Sequence, residues 1–294
     1  IKSYENAIRI KPDYAEAYSN LGSIQSNKGD LAAAIKSFKK ALTFDPYCAV
    51  TYYNKGLSLQ DEGKLEEAID SYENALKINP NYSKAYSNLG TSLIEKGNLK
   101  LAINKFKQAL ILDPFCDAAA INLAKCMSLT GDLETAIAML RKVLRENPVL
   151  PTAISNLIFT MSQSDKIDEN QLLVEACSYA QVMEAPFISK WPDFTNSRNP
   201  DRCLQIGFVS GDFRFHSVAF FIAPILEKLS SYPNLNLHAY YTNNIEDSIT
   251  KSLKKCFSHW TYVKNVDDQT LASKIIEDKI DILIDLSSHT DLNR

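Results

Sequence analysis

Five prolines, Pro12, Pro46, Pro80, Pro114 and Pro148, each stand 34 residues from the last, and this spacing is the tightest restriction on what the chain can fold into. Glycines at Gly29, Gly63, Gly97 and Gly131 keep the same step, as do alanines at Ala34, Ala68, Ala102 and Ala136. Aromatics at Tyr4, Phe38, Tyr72 and Phe106 hold the register until Leu140. Such a period means that one small unit recurs, and a unit of that size buries its apolar face only against a neighbour. Gly22, Gly56 and Gly90 let one helix lie close to a second. The Gly29 series supplies the C-cap of the first helix, and the proline stops the second.

A helix–turn–helix unit of this period is the signature of the tetratricopeptide repeat. Four complete repeats are expected from Asp13 to Pro148, preceded by a lone second helix over Ile1 to Ile10, which makes 1–148 a repeat array. No polar cap is visible at the start, so truncation there is expected. From Val149 the pattern degrades. PTAISNLIFTMSQSD reads as a first helix and ENQLLVEACSYAQVME as a second, without the loop glycine. APFISKWPDFTNSRNPDRC, with three prolines, reads as an ordered connector, and 149–200 is a degenerate repeat plus connector.

Asparagine recurs at Asn20, Asn54, Asn88, Asn122 and Asn156. It is a poor helix former, and core packing does not ask for it. First-helix positions of this kind line the concave face of a superhelix. A ladder of amides there can donate to and accept from the backbone of an extended peptide with little regard to its side chains. The alternative is that the amides bond only to neighbouring helices.

After residue 200 the period changes. CLQIGFVSG, LNLHAYYTN and IDILIDLSSHT read as strands, and SHWTYVK as a short one. SVAFFIAPILEKL reads as a helix capped by Ser217, which Pro224 kinks or shortens; IEDSITKSLKKCF is a second helix. DDQTLASKIIEDK is a third, capped by Asp267 or Asp268. Strand–helix alternation implies a parallel sheet with its chemistry at the carboxyl ends of the strands. Two such ends, GDFRFHS and SSHTDLNR, carry His216 and His289, placed to face a common crevice. An imidazole in a strand-to-helix loop can take a proton near neutrality or hold a phosphate by a hydrogen bond; it can equally be a capping residue. His238 and His259 fall in or beside strands and read as structural.

A net charge of -3 argues against nucleic acid and anionic membranes as partners. No apolar run reaches the ~20 residues that span a bilayer. Six scattered cysteines without a CxxC pair read as reduced thiols of a cytoplasmic protein, with no metal site. Gly207 and Gly211 lack the third glycine of a dinucleotide fingerprint, and no cofactor is indicated. Arg214 can reach an anionic donor, but an exposed surface arginine is the plainer reading.

Taken together, the repeats with their asparagine ladder, the WPDF connector, IGFVSGDFRFHSVAFFIAPIL and IDILIDLSSHT resemble the O-linked N-acetylglucosamine transferases, glycosyltransferase family 41, including bacterial and SPINDLY-like members. The resemblance implies an α-solenoid of tetratricopeptide repeats followed by an α/β Rossmann-like domain, 201–294, the partial N-terminal half of a GT-B catalytic region. It implies transfer of N-acetylglucosamine, or of fucose, from a nucleotide donor such as UDP-GlcNAc to Ser or Thr of acceptor proteins held in the repeats. His216 matches the family's proposed proton acceptor, His289 matches an active-site histidine of bacterial-type members, and the turn Asp278 to Asp281 matches a discussed proton relay. The family's second half is absent, along with its diphosphate-holding lysine and glutamine, so the chain is expected to be a fragment, inactive alone. The competing reading is a repeat scaffold that binds proteins without catalysis.

Overall fold

A computed structural model describes residues 1–189, 193, 195–199 and 201–286. The chain forms two compact units, Ile1–Lys190 and Trp191–Arg294.

The first unit is a run of antiparallel helix pairs. A lone helix α1 (Lys2–Ile10) precedes α2 (Ala15–Asn27) with α3 (Leu31–Phe44), α4 (Ala49–Asp61) with α5 (Leu65–Ile78), α6 (Ser83–Glu95) with α7 (Leu99–Leu112), and α8 (Asp117–Leu129) with α9 (Leu133–Glu146). The two glycine series play different parts. A Cβ added at Gly22, Gly56 or Gly90 would stand 2.8, 2.6 or 2.7 Å from the ring of Phe38, Tyr72 or Phe106, rings that are fully buried. Where the ring gives way to Leu140, the facing glycine gives way to Ala124, and both are buried in the same cluster. Gly63, by contrast, has open space around it but a φ of +80°. That left-handed residue ends α4 and lets Lys64 N–H reach back to the Leu59 carbonyl at 2.8 Å. Asp30, Asn98 and Asp132 then cap the following helices, each accepting a backbone N–H three residues on.

The degenerate repeat is a fifth pair, α10 (Pro151–Ser162) and α11 (Glu169–Ile188). Without a loop glycine, α11 starts on a capping box between Asp168 and Gln171. Register persists in an ion pair: Glu175, 34 residues after Arg141, accepts two of its N–H groups. The expected connector begins later than its prolines suggest. Pro186 lies inside α11, in the last turn, where a missing N–H removes only one helical hydrogen bond.

The second unit is a four-stranded parallel sheet in the order β3-β2-β1-β4, built from β1 (Leu204–Ser210), β2 (Leu235–Tyr241), β3 (His259–Tyr262) and β4 (Ile282–Asp285). The crossovers are α12 (Ser217–Ser230), then α13 (Ser248–Leu253) with a 3-10 turn at Lys254–Cys256, then α14 (Asp268–Glu277). One face packs Ile206, Phe208, Leu237, Ala239 and Tyr241 under Phe213, Ala219 and Leu226. The other packs Val209 and Tyr240 under Leu271, Ile275 and Ile280 of the α14 region. Gly207 belongs to that second face: a Cβ there would stand 2.9 Å from Leu283.

Two sequence expectations about helix starts need correction, and a third is narrowed to one of its alternatives. The helix after β2 starts at Ser248, not Ile245, because Asp247 and Thr250 form its capping box while the Ile245 carbonyl accepts the Tyr241 hydroxyl. Asp267 is the cap of α14. The cap of α12 is His216, not Ser217, since the imidazole Nδ1 reaches the Val218 N–H at 3.3 Å. Among the described residues no helix is long and apolar enough to cross a membrane.

Candidate functional site

The strand order reverses at β1. The chain runs outward through β2 and β3, then returns to lay β4 on the free side of β1. In parallel sheets that reversal opens a crevice beyond the carboxyl ends of the central strands. The loop 211–216, which leaves β1 there, is held at several points. Ser210 Oγ accepts the Asp212 N–H at 3.0 Å, the Ser210 carbonyl accepts Thr242 N–H at 3.0 Å, and buried Asn243 donates to the Gly211 carbonyl at 3.3 Å. Phe213 is fully buried, with ring centroids of Phe257 and Trp260 each 5.4 Å away. Phe215 points outward, 73% exposed, edge-on to Phe220, while its N–H donates to Asp247 Oδ2 at 2.5 Å. Hydrogen bonds from Thr250 and Phe215 hold the Asp247 carboxyl below the usual carboxylate range.

His216 closes this loop with its side chain 29% exposed. Its Nδ1 lies 3.7 Å from Oδ2 of Asp212, whose carboxylate is 2% exposed. The other oxygen of Asp212 lies 3.7 Å from Arg214 Nη2. Arg214 is thus not a surface arginine: it is turned onto Asp212, and its Nε is buried without a hydrogen-bond partner among the described residues. His289 lies outside the described residues.

Asp281 stands at the other end of the sheet, immediately before β4. Arg202 grips both of its oxygens, Gln205 N–H donates to it at 2.9 Å, and Asn196 adds a further bond. The guanidinium above all, then the backbone and amide donors, hold the carboxyl far below its usual range. A carboxylate so firmly ionised fits an anchor for the segment entering the sheet, not a carrier of protons. Asp278 in the same turn accepts from Tyr240 and Lys274. His238 is buried, bonded to Gln205 at 2.8 Å and stacked on His259 at 4.5 Å. Burial, then the neighbouring ring, lower its pKa.

The asparagine series occupies one half-buried position on the first helix of each pair. Asn54 donates to Ser23 Oγ at 3.4 Å, Asn122 to Thr91 Oγ1 at 3.3 Å, and Asn88 to Tyr53 OH at 3.0 Å, each one repeat back. Ser23 and Thr91 sit three places after the preceding asparagine. Leu57 fills that place in the second repeat, and Asn88 turns to a tyrosine instead. Each of these three amides spends one N–H on its neighbour, as the alternative of bonding between helices expects. Asn20 and Asn156 hold the same place on α2 and α10. The residues that sequence reasoning missed are Asp212 and Asp247. The signal for Asp247 was the Asp-x-x-Thr capping pattern 32 residues beyond Phe215.

Comparison with known proteins places this architecture. The tetratricopeptide repeat family matches residues 15–48, 49–82, 71–104 and 93–158, so the helix pairs from α2 to α9 are tetratricopeptide repeats. More particularly, the repeats are similar to proteins described as probable UDP-N-acetylglucosamine–peptide N-acetylglucosaminyltransferase SPINDLY. Identity is 33% over 120 residues with that of Solanum lycopersicum and 37% over 117 residues with that of Oryza sativa subsp. japonica, in both cases 37% of this chain and 12% of the relative. A mutant of the O-GlcNAc transferase of Thermobaculum terrenum shares the fold over 83% of this chain and 47% of its own, with 27% identity and a TM-score of 0.69. YrrB, a tetratricopeptide repeat protein with an unusual peptide-binding site, matches 64% of this chain and 98% of its own at 25% identity and a TM-score of 0.53. The likeness to O-linked N-acetylglucosamine transferases, SPINDLY included, therefore holds over part of this chain, and the chain spans 12% of the length of those SPINDLY relatives and 47% of the Thermobaculum terrenum enzyme.

Proposed function

We propose that the chain serves protein O-glycosylation: its repeats hold an extended segment of an acceptor protein, and the β1 end supplies one wall of a sugar-transfer site of the GT-B kind. The observation that carries this reading is the joining of two things in one chain. Amide-lined repeats similar to SPINDLY are followed by a parallel sheet whose switch strand ends in GDFRFHS. The fold match to an O-GlcNAc transferase extends through 83% of the chain, more than the repeats alone occupy. The donor, UDP-GlcNAc or a related sugar nucleotide, is consumed as a substrate. Orientation of the Ser or Thr hydroxyl against the anomeric carbon and stabilisation of the departing diphosphate would supply most of the rate. His216 is the group nearest this chemistry, with His289 as its expected companion. Free thiols at the described cysteines accord with a reducing, cytoplasmic setting.

The test is a transfer assay with the protein expressed from its entire reading frame. UDP-GlcNAc and GDP-fucose are offered separately with protein acceptors, and mass shifts on Ser and Thr are read. Addition of one sugar mass supports the reading; binding of acceptors with no addition from either donor favours a scaffold. The likeness to YrrB is the observation that supports that second reading.

A further inference from the structure

In the described state His216 is not ready to accept a proton. Its Nδ1 accepts the Val218 N–H, so a neutral ring carries its one proton on Nε2. With a hydrogen there, Nε2 is a donor. To act as a base through Nε2, the ring must carry its proton on Nδ1 and find that proton an acceptor. Asp212 Oδ2 stands 3.7 Å from Nδ1, about 1 Å beyond a charge-assisted hydrogen bond. The carboxylate sits on a loop held by Ser210, Asn243 and the buried Phe213 ring, and it is 2% exposed, whereas the imidazole is 29% exposed.

We infer that Asp212 is the positioning residue that makes His216 a base: the ring releases Val218, loses its Nε2 proton to solvent and takes one from solvent on Nδ1, donates that Nδ1–H as a hydrogen bond to Asp212, and turns a free Nε2 lone pair toward the crevice. The step rests on the glycosyl-transfer reading above and balances as follows. The acceptor hydroxyl proton passes to Nε2. The oxygen's electron pair forms the bond to the anomeric carbon. The bond from that carbon to the diphosphate breaks, and its pair leaves with the diphosphate. The imidazolium so formed is neutralised by Asp212, while Arg214 keeps a cation on the far oxygen of the carboxylate.

Two measurements test this, one independent of activity. Long-range nitrogen–proton spectra of the labelled chain, with His216→Gln to assign the signals, report where the ring proton sits. The expected resting ring is the Nε2–H form; Val218→Pro, which removes the N–H that Nδ1 accepts in the first turn of α12, is expected to shift the ring toward Nδ1–H while Asp212 is present and not in combination with Asp212→Asn. A resting Nδ1–H ring in the wild type, or a ring in the Val218→Pro variant that is indifferent to Asp212→Asn, overturns the proposal. In the protein from the entire reading frame, Asp212→Asn is expected to lower kcat about 100-fold with little change in the acceptor KM, and Asp212→Glu to restore part of it. An unchanged kcat overturns it as well. If the wild type transfers no sugar while the spectra behave as described, the functional reading fails and the Asp212–His216 coupling stands.

Discussion

The side-chain amide of Asn88 donates to the hydroxyl of Tyr53 at 3.0 Å, tying the third full repeat to the second. Burial raises the Tyr53 phenol above its ordinary range, so it remains protonated while it accepts. The bond between repeats and the proposed contact with an acceptor separate by size. Asn88→Ala is expected to lower the stability of the array by about 1 kcal/mol, the net worth of one hydrogen bond. Weakening of acceptor binding well beyond what that loss explains, read by fluorescence anisotropy under conditions where the array stays folded, would come from the face turned to the ligand.

The two glycine series should respond differently to alanine. At Gly56 the new methyl would meet Tyr72 at 2.6 Å, an overpacked contact expected to destabilise by about 1–3 kcal/mol. At Gly63 there is open space, and only the left-handed backbone opposes a side chain, for about 1 kcal/mol. Adding Tyr72→Leu to Gly56→Ala should recover part of the loss, as the native pair Ala124 and Leu140 suggests. Urea unfolding of the three variants decides; a Gly56→Ala variant as stable as wild type contradicts the packing account.

Asp281 makes the sheet unit sensitive to acid. Its folded carboxyl is held below the unfolded value by Arg202, so its contribution is present above pH ~4 and lost as pH falls further. Asp281→Asn should lower the unit's stability at neutral pH, because Arg202 loses its anionic partner and the Gln205 N–H its carboxylate acceptor. Tryptophan fluorescence during urea unfolding should show the gap to wild type closing below pH ~4.

His238 acts at a higher pH and with the opposite proton balance. Its folded pKa is lowered by burial and by His259, so the unfolded ring takes up a proton that the folded ring resists. Stability is then full above about pH 6.5 and declines as pH falls below it. His238→Gln should remove that decline; a slope that persists unchanged would assign it to another group.

The repeats were legible because one register governs packing, turn and cap together. The 34-residue step fixed the pairing of Gly56 with Tyr72 and the place of Gly63 before any coordinates. The alternation of strand and helix gave the parallel sheet, but not its order, since nothing local tells β4 to join β1 rather than β3. Contacts between residues far apart in sequence were equally hidden. Arg202 grips Asp281 from 79 residues away, and Asp247 holds the Phe215 amide from 32 away. Reading Ser217 as the cap failed because hydroxyls are the usual caps, while here the preceding imidazole reaches Val218 first.

The most direct test of the proposal that the repeats capture protein and the β1 end serves sugar transfer is a comparison of two variants in the protein expressed from its entire reading frame. Transfer is measured on an acceptor protein and on a short peptide. His216→Ala is expected to lose about 100-fold on both, while combined replacement of Asn54, Asn88 and Asn122 by Ala is expected to lose about tenfold on the protein and little on the peptide. Full transfer by the His216 variant, or equal losses on both acceptors from the asparagine variant, would contradict the account.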